Sequence, residues 1–153
     1  MYVLAVVFGV VHLTVAAVWL GSMAYSLNVV QPKVARFFTD QVRREEFLVT
    51  LAHGNRRPVV ALICVLLVTA AGVVAAAPHT AAIGYAVVLG LYAAAALIFA
   101  NVSWRHWPAR VFALPAELPG YRRRLAAQAW AMLALVGTGF LVALSVSLTA
   151  GLR

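Results

Sequence analysis

Charged residues are scarce in this chain, and acidic ones are the scarcest. Only 10% of the residues are charged and four are acidic, whereas about 25% charged residues is usual in a soluble domain. None of the segments 1–32, 58–104 and 125–152 contains an Asp, Glu, Lys or Arg. Because 65% of the residues are hydrophobic, this distribution excludes an ordinary soluble domain and places the charges in the connections between apolar stretches.

Cysteine and several catalytic motifs are also missing. The one cysteine, Cys64, lies within an apolar stretch, which excludes an intramolecular disulfide and a cysteine-based metal motif. The methionines form no M-x-x-M-type cluster, so a methionine-lined path for Cu(I) is not indicated. The acidic residues fall in the connections, and no G-x-S-x-G, H-E-x-x-H or glycine-rich phosphate loop occurs. The sequence therefore does not indicate an enzyme with hydrolytic or nucleotide chemistry.

Four apolar stretches, at about 2–30, 58–77, 81–104 and 125–150, are long enough to cross a membrane. A helix needs about 20 apolar residues for a hydrocarbon core of about 30 Å, and spanning segments must satisfy their own backbone hydrogen bonds. The sequence therefore predicts one all-α domain over 1–153, an integral membrane four-helix bundle. The first stretch lacks a basic n-region and an A-x-A-like site, so we expect a retained helix.

The net charge of +8 could suggest a nucleic-acid partner, but the basic residues are too localised for that reading. Eleven of the twelve lie in 33–57 and 105–124. Short loops rich in Lys and Arg stay in the cytoplasm. The pattern thus predicts cytoplasmic segments at about 31–57 and 105–124, both termini outside, and no nucleic-acid binding.

The two basic segments carry further local predictions. Residues 39–48 resemble a short amphipathic helix on the inner surface, which Gly54 and Asn55 should break or bend. Pro32 should end the first helix, and the second segment has too many prolines, Pro115 among them, for a regular helix. Trp104 and Trp107 are predicted to form an interfacial belt. Five arginines are predicted to meet anionic lipid headgroups: Arg56, Arg57, Arg122, Arg123 and Arg124.

His12 is the main candidate for chemistry, because a histidine inside a span is a functional hypothesis by default. A 3.6-residue period puts His12 on one stripe with Trp19 and Met23, and we expect this face to look into the bundle and its three residues to contact a bound cofactor. Neutral imidazole is a common ligand of metals and of haem iron. The alternative is a neutral histidine that is hydrogen-bonded to a neighbouring helix.

The other three histidines sort into possible pairs. His53 lies 27 residues before Thr80 and His106 lies 26 residues after it, so a hairpin of the second and third helices should bring these two to the same inner end. His79, in the outer turn, is on the side of His12. An inner pair, His53 and His106, and an outer pair, His12 and His79, are therefore candidate metal sites. Helix 3 also carries aromatic or imidazole rings at seven-residue steps, which could pack in the bundle or flank a porphyrin: Tyr85, Tyr92, Phe99 and His106.

The first helix resembles that of the bacterial copper-resistance D family. The resemblance is carried by His12 followed by Trp19-Leu20-Gly21-Ser22, and by Val30-Gln31-Pro32. Arg56-Arg57-Pro58 leading into Val68-Thr69-Ala70-Ala71-Gly72 is similar to the next helix of that family. Related four-helix families include the haem-binding protoporphyrinogen oxidase of bacteria. The resemblance implies that His12 binds metal or haem.

Three functions remain open at this stage. The first is a metal- or haem-binding membrane protein that serves copper handling or electron transfer, with heme b or copper as cofactor. The second is a non-catalytic accessory subunit or assembly factor, docked to other membrane subunits or to a second copy. The third is a haem-dependent oxidase of the porphyrinogen type. In each case we expect a multi-pass protein of the bacterial inner membrane.

Overall fold

The computed structural model describes residues 2–114 and 116–151, and helices make up nearly all of this part. Pro115 and the predicted outer termini, Met1 and Arg153, lie outside the described residues. The α-helices are α1 Tyr2–Tyr25, α2 Gln31–Phe37, α3 Gln41–Ala76, α4 His79–Asn101, α5 Trp107–Val111 and α6 Leu118–Gly151. Two π-helical turns, Ser26–Val30 and Val102–His106, connect α1 to α2 and α4 to α5.

The four long helices form a bundle in which each packs on two neighbours. Helix α1 lies against α3 and α6, and α4 lies against the same two helices. Four helical segments are long and apolar enough to cross a membrane: Val3–Phe37, Val42–Ala76, His79–Val111 and Leu118–Thr149. The prediction of an all-α membrane four-helix bundle is confirmed by this architecture.

Small and aromatic side chains fill the centre of the bundle. Fully buried residues include Ala16, Leu66, Val88 and Val136, while large apolar side chains such as Leu97 remain exposed on the outside. In a bilayer that outer surface faces lipid, where the exposure of apolar side chains carries no free-energy cost. Close packing between the helices then provides much of the stabilisation.

The expectation that Pro32 ends the first helix is wrong. The backbone N–H of Gln31 donates to the carbonyl oxygen of Ser26, five residues back, and the same bond joins Trp107 to Val102 before Pro108. Proline lacks an N–H and clashes with the carbonyl four residues before it. A wider π-helical turn stands before each proline, and helical structure continues past both.

The predicted short surface helix is not a separate element in the structure. Its residues begin α3, which runs without interruption through Gly54, Asn55 and Pro58, so the expected break is wrong. The Asp40 side chain accepts a hydrogen bond from the Val42 backbone N–H at 2.8 Å and thereby starts the helix. Glycine inside a helix costs only about 1 kcal/mol, and the interhelical contacts of α3 offset that cost.

The second basic segment is also more helical than predicted. Trp107–Val111 is α5, and α6 begins at Leu118, before the arginines. The Glu117 carboxylate accepts from the Leu114 backbone N–H at 2.9 Å, which closes the non-helical turn between the two helices. Pro119 lies in the first turn of α6, where a missing N–H is tolerated.

Candidate functional site

His12 lies inside the bundle, in the first half of α1. Its side chain is 0% exposed, and Ala16 and Trp19, further along the same stripe, are equally inaccessible. Met23 is half-buried and packs against this core. The predicted orientation of His12 towards the bundle interior is thus confirmed.

Thr69 of α3 holds the imidazole of His12. The Nδ1 atom of His12 and the Oγ1 atom of Thr69 are 3.0 Å apart. The hydroxyl of Thr69 has a single hydrogen and lies 2.7 Å from the carbonyl oxygen of Val65 and 3.2 Å from that of Leu66. Because both carbonyls can only accept, the hydrogen is directed to them. The Thr69 oxygen therefore accepts from His12, and this assigns the hydrogen of the neutral ring to Nδ1.

The other ring nitrogen of His12 then carries a lone pair. Nε2 is buried and has no hydrogen-bond partner among the described residues. The hydroxyl of Tyr92 is likewise buried without a partner in this part of the chain. Buried polar atoms are nearly always hydrogen-bonded. Two buried polar atoms without a partner in the described residues, His12 Nε2 and the Tyr92 hydroxyl, are therefore unusual.

Aromatic rings surround the imidazole. The ring centroid of His12 is 5.4 Å from that of Tyr85 and 5.2 Å from that of Tyr92, and Tyr92 lies 6.4 Å from Trp19. A side chain at Gly139 would come within 3.1 Å of the Tyr92 ring, so the missing side chain lets this ring approach α6. Two members of the predicted aromatic line, Tyr85 and Tyr92, therefore enclose His12.

A cavity of about 310 Å³ lies beside this cluster, towards the end of the bundle formed by the α3–α4 turn. Its wall is mostly aliphatic and includes Gly9, Leu13 and Tyr85. The Tyr85 hydroxyl is hydrogen-bonded to Ser147 at 3.0 Å. A second cavity, of about 130 Å³, lies near His53 at the charged end. His12 lines neither cavity.

The remaining histidines have separate surroundings. His79 begins α4 and is exposed, and His53 is exposed with Nδ1 3.1 Å from the Val49 carbonyl of its own helix. His106 uses Nε2 to bind the Tyr121 carbonyl of α6 at 3.1 Å. Over residues 2–114 and 116–151, no group of three or more His, Cys, Asp or Glu side chains could hold a metal ion. The proposed inner and outer pairs stay predictions.

The arginines predicted to meet lipid headgroups differ in their contacts. Arg56 donates to the Ser103 carbonyl at 2.7 Å and lies over the Trp104 ring. Arg122 pairs with Glu45 of α3. The other three are exposed: Arg57, Arg123 and Arg124. The first two arginines therefore also join helices, while the exposed three remain free to meet headgroups.

Sequence reasoning missed Thr69 and Arg110 as site residues. Thr69 belonged to the small-residue patch of the second helix, but its pairing with His12 depends on the register between α1 and α3. Arg110 is 4% exposed and pairs with Glu45. An isolated charge among apolar neighbours was the available signal for Arg110.

The hydrogen bond from Nδ1 of His12 to Thr69 is a feature that His12 shares with histidines that bind metal or haem iron. A ligating histidine commonly donates its second ring N–H to a fixed acceptor, which sets the tautomer, and Thr69 provides that acceptor. One imidazole does not complete a copper site made by protein alone. Haem iron needs only one or two protein ligands, although a porphyrin would require the packed tyrosine rings to move.

A scan against protein-family models and searches of curated proteins and of solved structures find no match for this chain.

Proposed function

We propose that this chain is a membrane protein that binds haem or a metal ion through Nε2 of His12 and serves electron transfer or copper handling. The observation that carries the proposal is the unpartnered, buried Nε2 lone pair on a ring whose Nδ1–H is held by Thr69. A ligating imidazole needs a free lone pair and a fixed tautomer. The resemblance of the His12 segment to the copper-resistance D family gives independent support.

The neighbouring side chains have definable roles in this proposal. Thr69 holds the ring orientation, and the rings of Tyr85 and Tyr92 keep water away from the imidazole. A bound haem iron or copper ion would supply reversible one-electron chemistry. Of the two, haem is favoured by the donor set, because a single histidine suffices for it.

The proposal includes a location in the cell. The two basic segments face the cytoplasm of a bacterium, the chain crosses the inner membrane several times, and both termini lie outside. Support comes from the clustering of Lys and Arg and from the contact between Glu45 and Arg122, which joins the two basic segments at one end of the bundle.

Optical and metal analysis of the detergent-purified protein tests the function. A Soret band with reducible α and β bands identifies haem, and copper without a Soret band identifies a copper site. We expect His12→Ala to lose the bound group, while His79→Ala, which changes an exposed histidine, retains it. Circular dichroism and gel filtration establish that both variants fold. A wild-type protein free of haem and metal, or equal cofactor content in the two variants, contradicts the proposal.

An accessory subunit or assembly factor is the second candidate function. It is favoured by the tight packing around His12. In that case the His12–Thr69 bond fixes the register of α1 against α3, as buried polar pairs do in other helical assemblies. A colourless, metal-free protein that copurifies with a defined membrane complex selects this function.

A further inference from the structure

A compact group of charged side chains lies at the end of the bundle opposite the α3–α4 turn. Glu45 is in the second turn of α3, Arg110 is in α5 and Arg122 is in the second turn of α6. Arg44 precedes Glu45 in α3 and is partly buried. Guanidinium groups from α5 and α6 therefore pair with one carboxylate of α3.

Glu45 is shared between two of these arginines. Its Oε1 atom accepts from Nε and Nη2 of Arg122 at 3.1 and 2.6 Å, and its Oε2 atom pairs with Arg110. The Asp40 carboxylate accepts a hydrogen bond from the Val42 N–H and pairs with Arg43. The Glu117 carboxylate accepts from the Leu114 N–H. Within the described residues, the ion pairs of Arg110 and Arg122 are with Glu45 alone.

The arginines of the group outnumber its one carboxylate, and one of them, Arg110, has little access to water. Arg110 is 4% exposed, with its guanidinium 5.0 Å above the Trp107 ring. The Nε atoms of Arg44 and Arg110 are buried and lack a hydrogen-bond partner in the described part of the chain. Charged groups with unused donors are costly to bury unless an opposite charge is close.

We infer that Arg44, Arg110 and Arg122 form a binding site for a phosphate group, with Glu45 holding the arginines in place. Guanidinium groups bind phosphate oxygens through charge-assisted and often bidentate hydrogen bonds. The phosphate can belong to an anionic lipid headgroup or to free inorganic phosphate, since both present the same oxygens. This site is separate from His12 and does not depend on the proposed cofactor.

Neighbouring arginines provide matched controls for a binding measurement. Arg43→Gln and Arg123→Gln remove the same charge as Arg44→Gln and Arg122→Gln, but Arg43 and Arg123 are exposed. Native mass spectrometry of the full chain measures binding of phosphatidylglycerol against phosphatidylcholine. Thermal unfolding with inorganic phosphate, against chloride at equal ionic strength, measures the free ion.

We expect phosphatidylglycerol or inorganic phosphate to bind, and Arg44→Gln and Arg122→Gln each to weaken that binding about tenfold while the controls retain wild-type affinity. Glu45→Gln keeps a side-chain oxygen that can accept from Arg122 and hold it in place, but it removes the negative charge that competes with phosphate, so binding should strengthen. Binding of phosphatidylglycerol alone identifies a lipid site, and binding of inorganic phosphate identifies a free-phosphate site. Absence of both, or equal weakening in Arg43→Gln and Arg44→Gln, overturns the inference.

Discussion

At the scale of single residues, the two nitrogens of the His12 ring have opposite surroundings. Nδ1 is fixed by the Thr69 hydroxyl, and Nε2 is enclosed without a partner in the described chain. The polar contact is directional because the Thr69 hydrogen is directed to the carbonyls of Val65 and Leu66. A neutral ring with a free lone pair is the form that binds metal.

Thr69→Val tests the contribution of this hydrogen bond. Valine keeps the shape of threonine but cannot accept from Nδ1. We expect the free energy of unfolding to fall by roughly 0.6–1.7 kcal/mol, as for hydrogen bonds between membrane helices, and cofactor affinity to fall about 10- to 100-fold, as for other second partners of ligating histidines. Steric-trap unfolding in bicelles and cofactor titration measure the two quantities.

Two substitutions complete that experiment. Thr69→Ser retains a hydroxyl and should restore most of the affinity. Thr50→Val is the control, because the Thr50 hydroxyl is exposed and bonds only to the Glu46 carbonyl of its own helix at 3.0 Å. If Thr69→Val binds the cofactor as tightly as Thr50→Val does, the Nδ1 contact does not position a ligand.

At the scale of helices, the length of each apolar stretch was enough to predict the four spans, but not where the helices end. Pro32, Pro58 and the pair Gly54-Asn55 are local breaking signals. The chain stays helical past all of them: a π-helical turn precedes Pro32, and Gly54, Asn55 and Pro58 lie inside α3. Contacts between helices determine whether a helix continues past a proline or a glycine. These contacts cannot be inferred from a single sequence.

The same distinction applies to the candidate site. The 3.6-residue stripe correctly predicted the burial of His12 and Trp19, since periodicity is a property of one helix. The partner Thr69 lies 57 residues away, and the charged group at Glu45 joins three helices. Such pairings depend on helix register, which composition and spacing along one chain do not determine.

At the scale of the whole molecule, the two basic segments share one end of the bundle. Arg56 of α3 reaches the Ser103 carbonyl, and Glu45 binds Arg122 across the same end. The excess of Lys and Arg there predicts a cytoplasmic position. Both basic segments therefore lie on the same side of the membrane, and finding the side of one gives the side of the other.

Cysteine labelling in intact cells tests this orientation. After Cys64 is replaced by alanine, a cysteine at position 40 or 117 should resist a membrane-impermeant maleimide, whereas one at position 79, in the outer turn, should react. Labelling after lysis controls for accessibility, and all three positions are exposed in the structure. Reaction at positions 40 and 117 in intact cells, with protection at 79, means that the bundle is inverted.

The most direct measurement of the role of His12 is the cofactor content of a chain in which it is the only histidine left. His53, His79 and His106 are all replaced by glutamine, and haem and copper per chain are measured beside the wild type and the His12→Ala variant. We predict that the His12-only chain retains the wild-type content of bound group and that His12→Ala loses it. Loss of the bound group from the His12-only chain, with retention in His12→Ala, would contradict ligation by His12.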